Sequence, residues 1–212
     1  MKNPNELYEE FKENPAFLHF WKEKETAQEK SRYGKADFSF LDKKLQDFLL
    51  SFGEKATKGL YVYGDVGVGK TYFANVLYWW LKANKNREIP YVEFFSFPDL
   101  LYRMRKNISI KRGDQDYDWE CEDVIENGKM LVLDDVGVEK ISDWVLEKFY
   151  LIINNRYEQN IPVFITSNCS LDQLADRVGD RIPSRLAEMC DVIALIGKDK
   201  RLMSATLNMN NC

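Results

Sequence analysis

Short apolar runs alternate with longer stretches in which apolar residues return every three or four positions. The runs Leu60–Tyr63, Tyr91–Phe97, Met130–Asp134, Val163–Ser167 and Asp191–Ile196 read as five short strands. Their length and near-continuous apolar character suit strands buried on both faces. Tyr72–Leu81 and Trp144–Ile153 carry the helical spacing between them. Strands alternating with helices predict an α/β fold of three layers, with a five-stranded parallel sheet covered on both faces. Ligands in such folds collect at the C-terminal ends of the strands.

The connection after the first strand carries the clearest chemistry. Gly64-Asp65-Val66-Gly67-Val68-Gly69-Lys70-Thr71 fits the phosphate-loop pattern G-x-x-x-x-G-K-[ST] without a mismatch. The pattern has a mechanism: glycines let backbone N–H groups close around phosphate oxygens, the lysine reaches the β and γ phosphates, and the threonine hydroxyl can ligate Mg²⁺. A strand precedes the loop and a helix follows it, so the helix brings its positive end under the phosphates. The expected ligand is a nucleoside triphosphate with Mg²⁺, and the expected class is a P-loop NTPase.

Bulk composition narrows the rest. A chain of 212 residues with 45% hydrophobic and 30% charged content can bury one sizeable core. The net charge of −4 argues against a surface that coats nucleic acid everywhere, yet it leaves room for a local basic site. The N-terminus, Met1-Lys-Asn-Pro-Asn-Glu6, has no apolar leader, and runs such as Val192–Ile196 are too short to span a bilayer. A cytoplasmic protein without membrane contact is expected. Cys121, Cys169, Cys190 and Cys212 are widely spaced with no C-x-x-C pair, so reduced thiols are expected. The single histidine, His19, has no partners for a metal or nucleophile-activating site.

Three further clusters could complete a nucleotide site. Asp134-Asp135 ends an apolar strand, where one carboxylate can hold Mg²⁺ opposite Thr71 and the other can orient or deprotonate a water. An Asp pair in that place is also common in plain turns. Thr166-Ser167-Asn168 ends the next strand, where an amide could bond the γ-phosphate or the attacking water. In Gly179-Asp180-Arg181-Ile-Pro-Ser-Arg185-Leu186, an arginine could reach a neighbouring subunit's γ-phosphate; a surface ion pair is the plainer alternative.

Together these blocks closely resemble the AAA+ ATPases of the DnaC/IstB group, the bacterial and phage helicase loaders and their relatives. Leu131–Gly137 is similar to that group's Walker B segment, and Ile152–Tyr157, Ile165–Leu171 and Gly179–Leu186 are similar to its later blocks. The resemblance covers roughly residues 55–201. It implies the strand order 5-1-4-3-2, Asn168 as the sensor residue, and Arg185 as an arginine finger acting in trans, with Arg181 less favoured. Many AAA+ proteins carry Asp-Glu where this chain has Asp134-Asp135, which points to slow hydrolysis. The chain ends at Cys212, soon after Arg201, so no full C-terminal lid domain is expected and a sensor role for Arg201 is open.

Two regions bear on partners. Residues 1–34 carry Tyr8, Phe11, Phe17, Phe20 and Trp21 among lysines and glutamates, at spacings that suit an amphipathic helix or helix pair. Packing onto an ATPase body formed by residues 35–212 and docking a replicative helicase are both open readings. Arg103, Arg105, Lys106, Lys111 and Arg112, with Tyr102 beside them, form a basic stretch followed by the acidic run Asp114–Asp123. In the loader group this part of the fold faces single-stranded DNA, and basic side chains beside an aromatic suit that contact. The alternative is a solvated helix face whose charges pair with the acids.

The resemblance implies a self-associating ATPase that delivers a replicative helicase. An IstB-like transposition helper on duplex DNA, a non-hydrolysing assembly switch and a nucleotide kinase are the rivals. The kinase would not need the blocks around Asn168 and Arg185.

Overall fold

The computed structural model describes residues 41–51, 58–83, 92–126, 129–137 and 140–197, with Glu13, Phe38 and Asp199. Apart from Glu13, the expected partner-binding segment 1–34 lies outside the described residues, as do Arg201 and Cys212. The elements run α1 (Lys43–Ser51), β1 (Gly59–Gly64), α2 (Lys70–Ala83), β2 (Val92–Ser96), α3 (Phe97–Asn107), α4 (Trp119–Glu126), β3 (Met130–Val136), α5 (Asp143–Gln159), β4 (Val163–Ser167), α6 (Leu171–Val178), α7 (Arg181–Met189) and β5 (Cys190–Leu195).

Two compact units divide the chain, one holding α1 and most of α2, the other the sheet and the remaining helices. In the first, α1 buries Leu45 and Leu49, and α2 buries Phe73, Ala74, Val76, Leu77, Trp80 and Leu81 at helical spacing. Phe38 stacks on Trp80 with ring centroids 5.4 Å apart.

The second unit is built on a parallel sheet in the order β2-β3-β4-β1-β5. Read from the other edge this is 5-1-4-3-2, the order implied by the resemblance. β1 lies between β4 and β5, with Tyr63 opposite Ser167 and Ala194. One apolar cluster takes in Tyr61, Leu131, Leu133 and Ile165 from the strands and Phe97, Phe149, Ile153, Leu174 and Leu186 from the helices. Buried strands of this kind need no polar alternation, which is why they read as unbroken apolar runs.

Residue 97 departs from the periodicity. Phe97 reads as strand in sequence but is the first residue of α3, where Pro98 in the first turn supplies a helical φ and gives up no hydrogen bond. The end of α4 is fastened to α5 by neighbouring side chains. Asn155 Nδ2 donates to the Ile125 carbonyl, and Arg156 Nη1 donates to the Val124 carbonyl at 2.6 Å. Burial lowers the Arg156 guanidinium to about 10. No helix among the described residues is long and apolar enough to cross a membrane.

Candidate functional site: the strand tips and the phosphate loop

The phosphate loop turns from the C-terminal end of β1 into α2. Gly67 and Gly69 have φ of 82° and 108°, a region that side chains rarely enter. A Cβ on Gly67 would also collide with the Asp199 carboxylate, which packs against it. Lys70 is 5% exposed, and its Nζ donates to the Gly64 and Asp65 carbonyls at 2.8 Å each. The ammonium is thus held across the mouth of its own loop by two oxygen acceptors. Asp65 and Val66 face solvent, Val68 is buried, and Thr71 is half-buried as the second residue of α2.

Beside the loop, the tips of β3 and β4 are tied by a polar network. The register steps from Leu133–Ile165 to Val136–Ser167, so three steps on β3 (136 − 133) oppose two on β4 (167 − 165). This one-residue bulge carries Asp134 and Asp135, and Asp135 takes φ of 60°. Asp is among the few non-glycine residues that tolerate the left-handed region well, because its short polar side chain can satisfy the backbone locally. Asp134 is 3% exposed and accepts from Thr166 Oγ1 at 2.5 Å. The same Thr166 oxygen accepts from the Asp135 backbone N–H at 3.1 Å. One hydroxyl therefore fixes both acids.

Ser167 repeats the device one residue on. Its Oγ donates to the Val136 carbonyl at 2.8 Å and accepts from the Cys169 N–H at 3.0 Å. Tyr61 Oη, from inside β1, donates to the Cys169 carbonyl at 2.8 Å, and burial pushes its phenol well up. Arg177 of α6 donates to the Gly137 carbonyl. Asn168 lies between the end of β4 and Ser170, which caps α6 in a capping box with Gln173. Asp134, Asp135, Thr166 and Asn168 are brought together at one end of the sheet. Of the supporting groups, Thr166 and Ser167 were visible in sequence only as company for Asn168. Tyr61 and Arg177 carried no local signal.

Arg185 sits on α7, held against α5. Its guanidinium carbon lies 5.1 Å from the Tyr150 ring centroid and 5.4 Å from that of Tyr157. Nη1 donates to the Arg181 carbonyl at 3.2 Å and Nη2 to Tyr150 Oη at 3.4 Å. Arg181 is exposed and lines a cleft of about 550 Å³ with Asp143, Glu147, Asp180, Leu146 and Ile182.

The basic stretch divides in two. Arg103 is spent on acids: Nε meets Asp118 at 2.5 Å and Nη2 meets Glu120 at 2.7 Å. That pairing holds the Asp118 carboxyl below its usual range. Tyr102, Arg105, Lys106, Lys111 and Arg112 are all exposed. Arg105 stacks over Trp144 at 4.7 Å and Arg112 over Trp119 at 5.1 Å. Among the described residues, pairing of this stretch with the acidic run is confined to Arg103. Among the described residues, no three His, Cys, Asp or Glu side chains gather into a metal cage. Cys121, Cys169 and Cys190 are free thiols.

A family model described as IstB-like ATP binding protein matches residues 29–206. The replicative helicase loader DnaI of Bacillus subtilis (strain 168) is 31% identical over 131 residues, 60% of this chain and 39% of that protein. The chain therefore spans well under half the length of that curated relative. A crystal structure of the DnaC helicase loader is 29% identical, with a TM-score of 0.58 over 84% of this chain and 98% of that one. The replication initiator DnaA, solved bound to AMPPCP and single-stranded DNA, shares the fold at 20% identity, with a TM-score of 0.57 over 79% of this chain and 50% of that one.

Proposed function

The chain belongs to the family of IstB-like ATP binding proteins, and on that premise we propose that it is a self-associating AAA+ ATPase of DNA replication that helps deliver a replicative helicase. The observation that carries the reading is the knot in which Thr166 fixes both Asp134 and Asp135 beside the phosphate loop. Likeness to the DnaC helicase loader over 98% of that chain supports the choice of process.

In this reading the loop amides from Gly64 to Gly69 and the Lys70 ammonium hold the ATP phosphates. Thr71 and Asp134 are hard oxygen donors of the kind that suit Mg²⁺ when phosphates and water complete its shell. Held by these two residues, Mg²⁺ would supply positive charge against the triphosphate. Asp135, set apart from Asp134 by the bulge, orients the attacking water and accepts its proton. Asn168 donates to that water or to the γ-phosphate. Arg185 of one subunit neutralises charge developing at its neighbour's phosphate, a contribution worth about 10³–10⁵-fold in the best-studied cases. Asp135 reaches less far than a glutamate, so turnover is slow. Tyr102, Arg105, Lys106, Lys111 and Arg112 track single-stranded DNA, and residues 1–34 hold the helicase.

A second reading within the family of IstB-like ATP binding proteins is a transposition helper acting on duplex DNA. Steady-state ATP turnover with single strands, with duplex and with neither separates the two. A rate changed by single strands supports the loader. A rate changed by duplex alone supports the helper. Nucleotide binding without turnover under any condition leaves an assembly switch.

A further inference from the structure

Arg185 is held more firmly than an ordinary surface arginine. Tyr150 and Tyr157 lie seven positions apart on α5, two turns along one face, and both rings approach the same guanidinium. Tyr150 Oη accepts from Nη2 at 3.4 Å, and Tyr157 Oη donates to Glu188 at 2.8 Å. Glu188 lies three residues after Arg185 on α7, on the same side of that helix. The Arg181 carbonyl takes Nη1, while Nε is buried with no hydrogen-bond partner. An arginine side chain has four flexible torsions. Two aromatic faces and two oxygens remove most of that freedom before any phosphate arrives.

We propose that Tyr150 and Tyr157, with Glu188 locking the second ring, form a rack that positions Arg185 for the neighbouring subunit's γ-phosphate. The inference rests on the reading of Arg185 as a finger acting in trans and adds the groups that aim it. These are positioning residues: the rings touch the guanidinium and leave the phosphate to it. The rings do their work through their faces, so a phenylalanine can replace much of a tyrosine here, whereas leucine cannot.

The test compares the double variant Tyr150→Leu/Tyr157→Leu with Tyr150→Phe/Tyr157→Phe and with Glu188→Gln. Turnover of the leucine pair should fall about 10–100-fold, the range expected when a catalytic group is misplaced by about 1 Å. The phenylalanine pair should lose only about threefold. Affinity for a fluorescent ATP analogue, which reads the variant's own phosphate loop, should stay within about twofold in all three. Mixing the leucine pair with Lys70→Ala subunits should restore turnover, because those subunits carry an intact rack and present Arg185 to the variant's loops. Glu188 is exposed, so Glu188→Gln keeps the fold and should cost a few-fold in turnover even if the leucine pair misfolds. Wild-type rates in both the leucine pair and Glu188→Gln would overturn the rack. So would failure of the Lys70→Ala mixture to restore a folded leucine pair. Full activity of Arg185→Ala would instead sink the finger on which the rack depends, a separate failure seen in a separate variant.

Discussion

The tips of β3 and β4 and the basic stretch of α3 are both rich in polar side chains, but they are organised in opposite ways. At the tips, Asp134, Thr166 and Ser167 are 3%, 2% and 0% exposed, and each has a partner at hydrogen-bond distance. On α3, Tyr102 is 68% exposed, and among the described residues only Arg103 of the neighbouring cations is held by carboxylates. Burial makes the first region demanding, since an unpaired group there costs about 1–3 kcal/mol. The second tolerates many sequences, because exposed charges interact weakly through water. The lesson is that chemistry requiring fixed distances sits where substitution is costly, and chemistry requiring a charged surface sits where it is not.

Substitutions in the two regions should therefore differ in kind. The largest effect is expected from Asp135→Asn. Asparagine also tolerates φ of 60°, so the bulge survives while the proton acceptor is lost. ATP turnover should drop about 100-fold or more with nucleotide affinity nearly unchanged, measured by single-turnover kinetics and equilibrium binding. Thr166→Val comes next. It removes the donor to Asp134 and the acceptor for the Asp135 N–H, so chemical denaturation should show a loss of about 1–3 kcal/mol. Turnover should fall roughly tenfold as both acids lose their anchor.

On α3 the effects should be smaller and dependent on salt. Arg105→Ala with Lys106→Ala should weaken single-strand binding and reduce the slope of log affinity against log salt by about 1.4, two charges at about 0.7 each. A slope unchanged within error would remove these residues from the DNA surface. Asp118→Asn should matter least, and only above about pH 4, where the carboxylate is charged. Arg103 holds the folded Asp118 carboxyl below its unfolded value, so the stability it contributes is present above about pH 4. That contribution is lost as the pH falls through the lower folded value. The variant should show a flatter fall in stability below pH 4, followed by thermal melts across that range.

Much of this contrast was legible in the order of residues, and the reason is local. A phosphate loop is contiguous, and an apolar run ending in Asp134-Asp135 or in Thr166-Ser167-Asn168 announces a buried strand with polar groups at its end. The β-bulge was not legible, because it depends on the register between two strands some thirty residues apart. Arg177 reaches Gly137 across forty residues, and Tyr61 reaches Cys169 from another strand. The block Asn155-Arg156-Tyr157 stood out only by resemblance. Three adjacent side chains there serve two purposes: Asn155 and Arg156 bind carbonyls of α4, and Tyr157 faces Arg185. The start of α3 at Phe97 was hidden because an aromatic residue fits the end of a strand as well as the first turn of a helix.

The most direct test of a site completed by two subunits is ATP turnover in an equimolar mixture of Lys70→Ala and Arg185→Ala proteins, each also measured alone. Each alone should be inactive, the first for want of a phosphate loop and the second for want of a finger. In the mixture, intact loops on Arg185→Ala subunits meet intact fingers on Lys70→Ala subunits, so a substantial fraction of wild-type turnover should return. A mixture as inactive as its components would contradict an intersubunit site, and an active Arg185→Ala protein on its own would show that this arginine takes no part in the chemistry.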